Sequence, residues 1–134
     1  MSKKKKRAFI DDLIKAFPEI TDDVLDEDWR GLISLQIACF TRYTQNAIDS
    51  NNIPLSLKCF QFVEDHLNKV DLAIENSLII SWTCKLNFTN NDKLYVQFPS
   101  TLKEIRAEVE NHYNSVSSNE KLNAFLKDIR KNEN

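Results

Sequence analysis

The sequence predicts an all-α single domain of about six helices, an antiparallel helical stack of HEAT-like or bundle type. Three observations point there. Apolar residues recur at helical spacing along most of the chain. One Gly and three Pro in 134 residues are too few for turn-rich β architectures or a glycine-cradled phosphate loop. The 42% hydrophobic and 28% charged composition is that of a globular chain, long enough to bury about two-thirds of the surface its unfolded form exposes. Residues 1–7 are expected to be a basic, flexible lead-in, and residues 8–131 one helical domain.

The first helix is expected from Ala8, where Phe9, Ile10, Leu13, Ile14 and Phe17 mark one face, and it stops before Pro18. A linker carrying Ile20, Val24 and Leu25 leads into an acidic stretch. A longer helix is predicted from Trp29 to near Asp49, with Leu32, Ile33, Gln36, Phe40, Tyr43 and Ala47 on its inner face and Leu35 and Cys39 widening it. The polar run Asp49-Ser50-Asn51-Asn52 is turn chemistry. Pro54 suits the first turn of the next helix, whose stripe is Leu57, Phe60, Val63, Leu67 and Val70.

Asp71 is the expected N-cap of a helix running through Ile74, Leu78, Ile79 and Trp82 toward Leu86, apolar over more than one face and so expected to be the most central. Leu94 to Phe98 is read as a short extended segment before Pro99. Thr101-x-x-Glu104 resembles a capping box opening a helix through Val109, and Ser117-x-x-Glu120 repeats the device ahead of Leu122, Phe125, Leu126 and Ile129. The three middle helices, at about 17 to 22 residues each, suit a HEAT-like stack in shape, although no internal repeat is present.

A search for catalytic and metal chemistry yields no positive pattern. Asp26-x-Asp28-x-Arg30-Gly31 begins like a calcium loop but places Arg30 and Ile37 where ligands are required. His66, His112 and the three cysteines lack zinc spacing, and Glu64/His66 and Glu110/His112 are two apart rather than the three a di-iron bundle uses. Cys59 and His66, seven apart, are the one thiol–imidazole arrangement, and both fit an apolar helix face. No metal, no cofactor and no enzymatic activity are expected. The odd cysteine count without a C-x-x-C pair suits a reducing compartment. The basic start has no apolar run behind it, and no stretch approaches the roughly 18 apolar residues of a membrane span. A cytoplasmic protein, with neither membrane nor nucleic acid as its partner, is the expectation.

Charge is segregated. Five basic side chains, Lys3 to Arg7, precede a stretch, residues 8–28, in which eight carboxylates face only Lys15; the remainder of the chain is balanced. Residues 21–29, TDDVLDEDW, concentrate Asp22, Asp23, Asp26, Glu27 and Asp28. One or two of them, Asp26 or Asp28 as N-cap, would stabilise the following helix at about 0.3–1 kcal/mol each. The others repel one another. With Asp11 and Asp12 they form a candidate partner-binding face, suited to accelerating and selecting encounter with a basic surface.

The order Leu13-Ile14-x-x-Phe17-Pro18-Glu19, an acidic linker, a long helix, then Cys59-Phe60-x-Phe62-Val63-Glu64 and Asn76-Ser77-Leu78 resembles a family of small, uncharacterised bacterial helical proteins over most of residues 8–110. Members of that family look like immunity proteins of toxin systems. The resemblance implies a non-enzymatic protein that neutralises a cognate toxin by direct binding, and the charge pattern adds the expectation that the acidic face opposes a basic toxin domain. A structural or adaptor module, or a homodimer, is the alternative left open.

Overall fold

The structure is a computed structural model and describes residues 3–115, with side chains to residue 112. It is all-α, with seven α-helices and no strand among the described residues. The helix expected around Leu122 to Ile129 lies outside them. No helix among the described residues is long and apolar enough to cross a membrane.

Helix α1 (Lys6–Ala16) buries Phe9, Ile10 and Leu13. It begins two residues before the expected Ala8. The backbone of Lys4 pairs with the loop beside Val70, donating to Lys69 O at 2.8 Å and accepting from Asp71 N at 2.8 Å, so the basic lead-in is tied down from this point. Phe17 closes α1 ahead of Pro18, whose missing N–H is harmless at the start of the 3₁₀ turn Pro18–Ile20. That turn runs into α2 (Thr21–Val24).

Helix α3 (Ile33–Asp49) follows, and α2, α4 and α5 all pack against it. It ends in a Schellman-type cap: Asn51 adopts φ 57°, donating to Ile48 O, while Asn52 donates to Ala47 O. Asn tolerates this left-handed position, as the polar run predicts. Helix α4 (Ile53–His66) starts with Pro54 in its first turn and an Asn52 side chain accepting from Leu55 N. It stops four residues short of Val70, because Val70 is committed to the bridge with Lys4. At 14 residues α4 is therefore shorter than predicted for a HEAT-like stack, whereas α3, at 17, reaches the lower bound.

Asp71 caps α5 (Leu72–Ser77) through its carboxylate on Ile74 N, as expected. The helix then widens into a π-helical turn, Leu78–Thr83, with Cys84 N on Ile79 O and the Thr83 hydroxyl on Leu78 O. Leu78, Ile79, Trp82 and Thr83 of this turn are all buried. The predicted extended segment is instead the single-turn helix α6 (Asp92–Tyr95), capped by Asn91, after which a turn seats Phe98 in the core. Helix α7 (Ser100–Ser115) starts one residue before Thr101, so Thr101 stands within the first turn rather than at the cap.

Two aromatic clusters fill the interior. Phe9, Phe17, Phe40, Phe62 and His66 form one; Phe60, Trp82, Phe88, Tyr95 and Phe98 form the other. They meet where Phe40 stacks on Trp82, rings 5.9 Å apart and 8° from parallel. The Trp82 indole N–H donates to the Thr44 hydroxyl at 3.0 Å, and that hydroxyl donates in turn to Phe40 O. Both residues are fully buried. Replacing Thr44 with Val preserves shape but strands the indole N–H, so Thr44→Val should lower the unfolding free energy by about 1–3 kcal/mol in urea denaturation followed by tryptophan fluorescence. A change under about 0.5 kcal/mol would show that this bond does not matter.

Candidate functional site: an acidic shelf with exposed leucines

Residues 18–32 form a shelf over the N-terminal half of α3. Ile20 and Val24 point into the core and hold it down. A four-residue helix leaves its C-terminal carbonyls without intrahelical partners, and here side chains from further along the chain supply them. Trp29 Nε1 donates to Asp23 O at 2.6 Å, Cys39 Sγ lies 3.6 Å from the same oxygen, and Gln36 Nε2 donates to Val24 O at 2.9 Å. Gln36 is 3% exposed, so this last bond is sheltered from water. Asp26 Oδ1 accepts from Asp28 N at 2.9 Å and tightens the turn. Gly31 carries it forward at φ 85° with open space where a Cβ would stand, so its backbone conformation is the reason for glycine.

The expected capping role of Asp26 or Asp28 is not found. Helix α3 begins four residues after Trp29, at Ile33, and its N-cap position is Leu32, with no side-chain cap. Trp29 is half-buried, outside α3, and used by the shelf. Asp22 and Asp23 instead occupy the first turn of α2. Asp22, Asp23, Glu27 and Asp28 are exposed, and their carboxylates make no hydrogen bond or ion pair with described residues.

Asp11, on the exposed side of α1, lines a cleft of about 340 Å³ together with Leu25, Arg30 and Gly31, so the structure brings it to the shelf. Asp12 is not brought there. It accepts from Lys4 Nζ and lies 3.2 Å from His66 Nε2, fastening the N-terminus to the end of α4. The Lys4 hydrogen bond holds its carboxyl below the ordinary value, against the opposing effect of partial burial. Glu19, just ahead of the shelf, accepts from the Tyr43 hydroxyl, which lowers its pKa, while burial and Glu19 push Tyr43 upward.

Two shelf leucines and one in the first turn of α3 were not recognised in the sequence as exposed: Leu25 at 37%, Leu32 at 54% and Leu35 at 48%. A signal existed. A buried Gln36 next to Leu35 on one helix turns Leu35 outward, and an apolar residue outside a polar one is unusual for a solvated face.

The thiols show no nucleophilic activation. Burial raises all three, pushing Cys59 and Cys84 up to about 11. His66 is directed away from Cys59, its Nδ1 donating to Phe62 O at 2.8 Å. Among the described residues no group of three or more His, Cys, Asp or Glu side chains is placed to hold a metal ion.

A family model described as a domain of unknown function (DUF7674) matches residues 10–114. The chain belongs to this family. The matched stretch begins at Ile10, inside α1, and takes in the shelf and every later helix to within one residue of the end of α7. No curated protein and no solved structure matches the chain. The two segments that carry the resemblance to immunity-like proteins are structural here: Phe17, Phe60, Phe62 and Val63 are core, and Glu19 is held by Tyr43.

Because Asp12 is depressed, its pairing stabilises the fold above its ordinary pKa of 3.8, and the contribution fades as pH falls through the lower folded value. Asp12→Asn should therefore reduce stability at pH 6 and lose its effect progressively in the acid range below 3.8. Urea melts of both proteins across that range would show it; a constant difference at all pH values would contradict the assignment.

Proposed function

We propose that this protein is a non-enzymatic binding domain that engages a basic protein surface through the shelf, and that it serves as an immunity protein blocking a bacterial toxin. The supporting observation is the exposure of Leu25, Leu32 and Leu35 within the same stretch as the unpaired carboxylates of Asp22, Asp23, Glu27 and Asp28. Apolar anchors beside clustered carboxylates match the division of labour in protein interfaces, where buried side chains supply binding energy and the charged rim steers and selects. The shelf is held in place before any partner arrives, which lowers the ordering cost of association.

The leucines alone would equally suit self-association. The clustered acids argue against it, because a two-fold interface that set these carboxylates against their own copies would oppose like charges. A basic partner has no such penalty. Asp11 extends the shelf; Asp12, already paired, is left out.

The test compares the intact chain with an Asp22→Asn/Asp23→Asn/Glu27→Gln/Asp28→Asn variant and a Leu32→Ala/Leu35→Ala variant as baits in cell lysate. The expected result is a basic protein retained by the wild type at low salt, released at high salt, and bound at least tenfold more weakly by either variant, about 1.4 kcal/mol or more. The toxic activity of the captured protein should be blocked by wild type alone. Capture indifferent to salt and to all four carboxylates would overturn the proposal.

A further inference from the structure

The cleft beside the shelf has a character opposite to the shelf itself. Its walls are Ile10 of α1, Leu25, the backbone of Gly31 and the buried Gln36, and its charges are Lys6, Arg7 and Arg30 against the single carboxylate of Asp11. Among the described residues none of these three cations makes a hydrogen bond or an ion pair, although carboxylates are close by in sequence. Arg7 lies four residues before Asp11 on α1, the spacing at which a helical ion pair forms, and Arg30 follows Asp28 by two. Both guanidinium groups therefore keep their donors available at the rim of an apolar cavity.

We infer that this cleft binds a small organic anion with an apolar body, the carboxylate or phosphate group held by Arg7, Arg30 and Lys6 and the body lying on Ile10 and Leu25. Guanidinium forks match either head group in paired hydrogen bonds, which favours an anion over a neutral ligand of the same shape. The volume, about 340 Å³, is at the small end of ligand clefts and suits one ring or a short acyl chain. The exposed shelf carboxylates lie outside the lining and are screened by salt, whereas the apolar walls lessen screening within the cleft. This inference does not depend on the protein-partner proposal: its three cations play no part there, and a ligand in the cleft leaves Asp22, Asp23, Glu27 and Asp28 free, although Leu25 and Asp11 border both surfaces.

Amide NMR spectra of the full ¹⁵N-labelled chain, titrated with octanoate, phenyl phosphate and octylammonium, test it. Octanoate or phenyl phosphate should shift the amides of Ile10, Leu25, Gly31 and Gln36 saturably, and octylammonium should not. Binding of octanoate alone assigns a carboxylate ligand; binding of phenyl phosphate alone assigns a phosphate ester; binding of both assigns a general anion site. Arg7→Gln/Arg30→Gln should weaken binding about tenfold or more, with Arg7→Lys/Arg30→Lys recovering part of it and Glu108→Gln leaving it unchanged. The two arginines are exposed and unpaired, so the variants should keep the native spectrum. Equal response to octylammonium, shifts confined to other regions, or no saturable shift up to about 10 mM of either anion would overturn the inference.

Discussion

The Trp82 indole lies flat against Phe40, edge-on to Phe60, and bonded through its N–H to Thr44. The two aromatic clusters meet there, so the placement of α1 on one side and of α6 and α7 on the other depends on it. Ring stacking adds about 0.5–1.5 kcal/mol beyond burial, and the buried hydrogen bond about as much again, but the larger effect is geometric. Two flat rings and one directional bond allow a single relation between α3 and the π-helical turn. That turn buries Leu78, Ile79 and Thr83 together with Trp82.

The shelf is hung on this core at one remove. Helix α3, fixed by Trp82, presents Gln36 and Cys39 to the end of α2, and Ile20 and Val24 fill the space beneath. A four-residue helix has little stability of its own. Its persistence rests on the Gln36 bond to Val24 O, the Trp29 bond to Asp23 O and the two buried aliphatic side chains. What results is an acidic surface with fixed shape, edged on one side by Leu32 and Leu35 and on the other by the cation-lined cleft.

What could be read in the sequence was mostly local. Pro18 ends α1, Pro54 opens α4, Asp71 caps α5 and Asn51 takes a left-handed turn, each for reasons contained within a few residues. Features that rest on distant contacts were misplaced: Val70 leaves its helix to meet Lys4, Trp29 leaves its helix to serve Asp23, and Leu94 to Phe98 coil to seat Phe98 among aromatics rather than extending. The acidic stretch was visible in composition, and Asp11 joins it. Asp12 does not, since its partner His66 is 54 residues away. The exposure of Leu35 depends on which way α3 faces, and the buried Gln36 beside it was the hint of that; the exposure of Leu25 and Leu32 and the unpaired cations depend on how the chain from α1 to α3 is laid over the core.

The claim that carries the rest is that the shelf is preformed and held by Gln36. Native-state hydrogen exchange on the wild type and on Gln36→Ala measures it residue by residue. The amides of Leu25, Asp26, Trp29 and Leu32, all bonded within the shelf, should be protected in the wild type and exchange much faster in the variant, while α3 to α5 keep their protection. Free exchange of those amides in the wild type, or no response to loss of Gln36, would contradict it.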